Sequence, residues 1–152
     1  MNYNRIIKIF LRLAIALGFL SAVADRFGLA NPIHTAWGNW SSFERYVGVI
    51  NPWFPKSAVP ALAVIATAAE ILFAICLLIG FKTELFAKLS GLLLLIFALS
   101  MTFSTGIKSA FNASVFAASA GAFALGTLKE KFLEIDGLMK SKGTHAPSTT
   151  TS

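Results

Sequence analysis

Four stretches of this 152-residue chain, 6–24, 58–80, 85–104 and 110–128, are apolar almost throughout. A helix needs about 20 such residues to cross a hydrocarbon core of about 30 Å, because each residue rises only about 1.5 Å. Little chain is left over, so these stretches dictate the class of fold. Charged residues make up 13% of the chain and mean hydropathy is +0.71, whereas a soluble domain is about 25% charged. A soluble domain of this length would lack the polar residues to cover its surface. Fourteen Phe argue against intrinsic disorder, and the single cysteine, Cys76, cannot build a disulfide scaffold. Alternating strands are missing, so a transmembrane barrel does not compete.

The reading is an all-α integral membrane four-helix bundle. Residues 81–84 and 105–109 are tight turns that force their flanking helices to be antiparallel neighbours, giving up-and-down topology. Residues 25–57 form a long loop. The bundle occupies 1–128, and 129–152 is a tail whose Thr- and Ser-rich end is expected to be disordered.

Orientation follows from the basic residues. Placing both termini and the short second loop in the cytoplasm collects Arg5, Lys8, Arg12, Lys82, Lys88, Lys129, Lys131, Lys140 and Lys142, nine of thirteen. That bias sets both termini of an inner-membrane protein on the cytoplasmic side. The net charge of +6 is then a topology and lipid-headgroup signal, not a nucleic-acid one, because no basic cluster is interleaved with base-stacking aromatics. In a rival reading the first span is a cleaved signal peptide ending at Ala22-Val23-Ala24. Both readings leave the long loop outside.

Small residues recur at helical spacing: Ala14, Gly18 and Ser21 in the first span, Ala63, Ala66, Thr67 and Ala74 in the second, Ala87, Gly91, Ala98 and Thr102 in the third, and Ala110, Ser114, Ala118 and Gly121 in the fourth. Such stripes let membrane helices approach closely, and packing is their expected role. Glu70 is different. It is the only acidic residue within the four stretches, about 15 Å from the cytoplasmic end at the helical rise. An unpaired carboxylate there costs about 2.5–3.5 kcal/mol or more, so Glu70 must be protonated, paired or beside water. It shares its helix side with Thr67 and the alanines, which aims it into the bundle. Arg12, about 9 Å in from the same side, is the partner expected from depth, with snorkelling to the headgroups as its alternative. Arg12, Glu70, Thr67 and Thr102 are thus the candidate pocket.

The outer loop carries Trp37, Trp40, Phe43, Tyr46, Trp53 and Phe54. Trp and Tyr favour the headgroup level, so Trp37, Trp40, Tyr46 and Trp53 are read as interfacial. Ser41 and Glu44 have capping-box spacing, and Phe43, Tyr46, Val47 and Ile50 continue at helical spacing, predicting a short interfacial helix over 42–50. It serves as a lid on the bundle or as a docking surface for an extracytoplasmic protein.

No paired thiols, nucleophile–base pair, Walker loop or dinucleotide fingerprint occurs. A metal site is not expected either, since His34 and His145 fall on opposite sides of the membrane in this topology. Any redox chemistry would therefore need a diffusible carrier or a redox partner subunit, and no covalent cofactor is expected.

Two segments resemble the DoxX-like family of small bacterial membrane proteins: 10–20, with Arg12 ahead of a Gly- and Phe-containing helix, and 69–83, with Glu70, Gly80 at the helix end and Thr83 just beyond. The similarity extends over about 6–125. It implies a four-helix fold and a redox context, because the family includes DoxD, a quinone-reducing type of subunit, and MauE, which assists maturation of a periplasmic amine dehydrogenase. On that resemblance the chain is expected to be an accessory or quinone-proximal subunit in which Glu70 exchanges a proton and Arg12 polarises a carbonyl of the quinone. The alternative is a non-catalytic assembly factor or a proton-coupled transporter of a small molecule.

Overall fold

The computed structural model describes residues 3–129 together with Leu133 and Ile135. Among them the regular structure is entirely helical: α1 (Tyr3–Arg26), α2 (Trp40–Ile50), α3 (Val59–Ile79), α4 (Thr83–Thr105), α5 (Ile107–Asn112) and α6 (Val115–Thr127), with single 3-10 turns at Pro32–His34 and Lys56–Ala58. Three helices, α1, α3 continuous with its 3-10 turn, and α4, are long and apolar enough to cross a membrane, and the chain is membrane-embedded on that ground. Large apolar side chains such as Leu17, Leu72 and Phe103 are exposed on their outer faces, where lipid is the solvent they require. The tail expected to be disordered lies almost wholly outside the described residues.

Helices α1, α3, α4 and α6 share a core of Ile15, Ala16, Phe19, Ala74, Leu77, Ala87, Ala122 and Leu125. One end of this group, the turn end, holds the start of α1 and the α3–α4 turn. Gly80 terminates α3 there in the left-handed region at φ 72°, and Phe81 N–H donates to the Cys76 carbonyl at 2.9 Å. That is the closure a glycine after a helix provides without a Cβ penalty. The opposite, loop end holds α2 and α5.

The fourth apolar stretch is not one helix. Ala113 and Ser114 interrupt it, Ser114 taking φ 54°, and the Ala113 and Ser114 N–H groups close α5 by donating back to Ser109 and Phe111. Asn112 and Ser114 favour such local turns over a continuous helix. The remaining thirteen residues of α6 rise only about 20 Å.

The closest packing joins α4 and α6. Ser119 Oγ donates to the Gly91 carbonyl across the pair at 2.7 Å, which satisfies a buried hydroxyl between two apolar helices. A Cβ added at Gly91 would stand 2.9 Å from the Phe123 ring. Gly91→Ala is therefore expected to destabilise the fold by about 1–3 kcal/mol through overpacking. Thermal unfolding in detergent checks this, and an unchanged midpoint would contradict so close an approach.

Small residues in α1 behave differently. Ala14, Gly18 and Ser21 are exposed, whereas α1 buries Arg12, Ile15, Ala16, Phe19, Val23 and Arg26. The stripe expected to pack against another helix instead leaves open space, and nothing lies within 4 Å of a Cβ built on Gly18.

Helix α2 begins two residues earlier than predicted. Asn39, not Ser41, is its N-cap, with Oδ1 accepting from Ser42 N–H at 2.9 Å. Glu44 is not part of a capping box, since its carboxylate accepts from Trp40 Nε1 at 3.2 Å. Phe43 and Val47 on the inward face of α2 pack on Ala63, Val59 and Leu62 of α3. Because α2 sits beside the first turns of α3, α3 extends beyond the end of α1, and this offset sets up the site.

Candidate functional site

Glu70 lies about three helical turns into α3, yet its partner is the last residue of α1. Arg26 Nη2 donates to Glu70 Oε1 at 2.9 Å, Nη1 is 2.8 Å from Oε2, and Nη1 also donates to Thr67 Oγ1 at 2.8 Å. The planar guanidinium thus meets the carboxylate with both terminal nitrogens, the arrangement in which an arginine–carboxylate pair is strongest. Both residues are almost fully buried, at 2% and 1% exposure. The Arg26 guanidinium carbon stands 3.8 Å from the centre of the Phe43 ring and 5.4 Å from that of Trp37, so aromatic faces supply part of the solvation that water would.

Arg12 does not take part. Its Nε and Nη2 donate to the carbonyls of Leu77 and Leu78 at 2.9 and 3.1 Å, and Nη1 donates to Leu133 O at 3.0 Å. These are last-turn carbonyls of α3, where the helix's own N–H donors run out and Leu77 O otherwise accepts only from Gly80 N–H at 3.3 Å, and a cation there also suits the helix dipole. Depth counted along each helix brings Arg12 near Glu70 only if α1 and α3 start and stop together. They do not: α3 outruns α1 at the loop end, which sets Arg26 level with Glu70.

The structure therefore brings Glu70 and Thr67 together and keeps Arg12 and Thr102 apart from them. Thr102 is half-buried, and its hydroxyl bonds back to Ala98 O at 2.7 Å within α4. Of the four loop aromatics, Trp37 and Tyr46 turn inward, with ring centres 5.8 Å apart. Trp40 stacks on Phe27, and Trp53 is exposed.

Asp25 holds the loop in place. Its Oδ2 accepts from the Ala36 and Trp37 N–H groups, each at 2.9 Å, and its Oδ1 from Gly38 N–H at 3.2 Å. Three consecutive backbone donors converge on one carboxylate, and Gly38 at φ 69° supplies the backbone turn that lets them. Asp25 thereby fixes Trp37 over its sequence neighbour Arg26.

A cavity of about 780 Å³ opens beside this pair. Its polar wall is Arg26, Glu70, Tyr46, Asn51 and Ser100, towards the loop end, and elsewhere its lining is apolar. Asn51 bonds to Val47 O, and Ser100 to Asn51 Oδ1 at 3.1 Å, so these groups satisfy one another. Burial pushes the Tyr46 phenol above its usual 10, which keeps it a protonated donor. Arg26 Nε is different: it is buried without a hydrogen bond among the described residues, whereas Glu70 Oε2, equally buried, is held by its ion pair with Arg26 Nη1. A large apolar space therefore ends on an ion pair in which one donor, Arg26 Nε, is left without a partner among the described residues.

Asp25 and Arg26 escape a reading based on spans because hydropathy falls after Ala24, and Phe43 is legible there only as an aromatic of the outer loop. One signal marks Arg26 all the same: Arg12, Ile15, Phe19, Val23 and Arg26 recur at spacings of three and four, so Arg26 continues the buried face of α1. No group of three or more His, Cys, Asp or Glu capable of holding a metal occurs among the described residues, and Cys76 is a buried free thiol.

Fold and site together define a membrane-embedded helical protein with an apolar internal cavity polarised by one buried ion pair. Comparison with family models, curated proteins and solved structures finds no match to this chain.

Proposed function

We propose that the chain is a DoxX-like, up-and-down four-helix protein of the inner membrane with both termini cytoplasmic, and that it serves as an accessory or quinone-proximal subunit of a membrane redox system. The distribution of nine of thirteen basic residues supports the topology. One observation carries the functional reading: a cavity of about 780 Å³, almost entirely apolar, ends on a buried Arg26–Glu70 ion pair whose Arg26 Nε has no hydrogen-bond partner among the described residues. Sites of this kind, mostly apolar with a few convergent polar groups, bind small molecules.

A bound quinone would supply a redox-active ring whose carbonyl oxygens accept hydrogen bonds. Arg26 Nε is the donor placed to polarise one of them, the role the sequence alone assigned to Arg12. Glu70 Oε2 holds the site at which a proton can be exchanged as electrons arrive from a redox partner subunit. Phe43 and Trp37 exclude water from the cation and so strengthen both interactions.

The alternative of an assembly factor that docks a protein through its loop aromatics draws less support, because Trp37, Phe43 and Tyr46 face Arg26 and the cavity. Protein purified from native membranes is expected to retain quinone, detected in organic extracts. Glu70→Gln preserves an acceptor for Arg26 but removes the carboxylate that can take up and release a proton, and should lower quinone reduction with the partner present by about 10²-fold or more. Full activity in that variant, with bound quinone intact, would sink the proposal.

A further inference from the structure

The cavity is much longer than a head group requires. On α1 its lining runs from Leu11 to Arg26, about 22 Å at the helical rise, with the polar groups confined to the Arg26 end. Below them, beside Ile15 and Phe19, the walls of α1 and α6 include a run of small residues: Ala14, Gly18 and Ala22 on α1, and Ala117, Ala118 and Gly121 on α6, all line the cavity. Gly18 faces open space, whereas at Gly121 the two helices meet, a Cβ there lying 3.7 Å from Leu11 Cδ2. The seam is therefore closed towards the turn end and open beside the polar wall.

We propose that the seam between α1 and α6 is a lateral slot that admits and holds the apolar tail of a membrane-borne ligand while its head rests against Arg26 and Glu70. The inference rests on the proposed quinone-type reading of the head site and extends it to the ligand's tail. Small side chains alone define no site. Here the cavity's polar residues are confined to one end, where Arg26 Nε is buried without a hydrogen bond among the described residues, and the apolar length behind them matches a single-headed, long-tailed molecule. Membrane-dissolved ligands have reason to arrive sideways, since the outer faces of α1 and α4 already meet lipid and Trp37 and Phe43 cover the cation at the loop end. The small residues read from sequence as helix packing thus leave the space between α1 and α6 unfilled in that half of the molecule.

Gly18→Leu and Ala118→Leu fill the slot without a clash at the Gly18 Cβ position and without altering the head site. Two probes are compared in nanodiscs by quenching of tryptophan fluorescence: a benzoquinone with a decyl tail and the same ring without the tail. Both variants should weaken binding of the tailed probe by about tenfold or more, as expected when some two methylenes lose burial. Binding of the bare ring should stay within about twofold. Unchanged affinity for the tailed probe in both folded variants overturns the slot, as does equal loss for both probes. A phospholipid that co-purifies in the seam and yields to neither probe overturns it also. If neither probe binds the unmodified protein, the quinone reading itself falls, and the slot falls with it.

Discussion

Arg26→Met is expected to destabilise the folded protein by about 3–5 kcal/mol, because it leaves the Glu70 carboxylate buried and without its counter-charge. The cost arises from what remains, not from what is removed. Glu70 is 1% exposed, and Arg26 supplies both its hydrogen bond and its ion pair. No water layer is at hand in a membrane interior to replace them. The double variant Arg26→Met, Glu70→Leu should recover most of the loss, since a buried ion pair exchanged for apolar groups of similar volume is often neutral. Thermal unfolding of the three proteins in one detergent forms the test. A single variant as stable as the unmodified protein would mean that Glu70 is not held by Arg26. If the double variant unfolds as early as the single one, the apolar replacements fail to pack and the charge argument is not what governs stability. A stable double variant without quinone binding would in addition separate the pair's role in ligand recognition from any role in folding.

Asp25→Ala has the second largest expected effect, about 3 kcal/mol, and its consequence is local to the loop. Three backbone N–H groups, those of Ala36, Trp37 and Gly38, converge on the Asp25 carboxylate. Hydrogen bonds to a charged group contribute about 1.5–3 kcal/mol each where they are well shielded, and less where water can replace them, as at the half-buried loop backbone. Released donors can reach water only if the segment lifts away. Trp37 then leaves Arg26 and Phe43, which it contacts with ring centres 5.2 Å apart in the second case. The expected result is a red shift of tryptophan emission and faster proteolysis within residues 25–57. Asp25→Asn should fall between, because one amide oxygen replaces two carboxylate oxygens. Emission and proteolysis unchanged in Asp25→Ala would show that the loop is held by its aromatic contacts alone.

How much of the site is legible in the sequence depends on which physical quantity each residue reports. Glu70 was legible because a carboxylate within an apolar stretch is costly wherever it lies, and its side of the helix follows from the neighbours at three and four residues. Its partner was not legible. Pairing Arg12 with Glu70 assumed that helix ends lie flush, whereas Phe43 and Val47 of α2 pack beside the first turns of α3 and shift α3 relative to α1. The break at Ala113 and Ser114 escaped detection for a related reason: hydropathy stays high across it, and only backbone conformation changes. Ala14 and Gly18 were visible as small residues, but the same composition suits a tight helix contact and an open seam equally.

The sequence by itself determined the solvent and the helical class. Apolar stretches of membrane-spanning length admit few alternatives, because a backbone in lipid must satisfy its own hydrogen bonds, and the buried position of Glu70 follows from the same constraint. Only the tertiary structure decided which arginine meets that carboxylate, which small residues pack and which stand apart, and where the cavity ends. Those depend on the relative sliding of α1, α3 and α6, set by contacts between residues far apart in the chain. Hydropathy reports how deep a residue can sit on its own helix and carries no information about the offset between two helices.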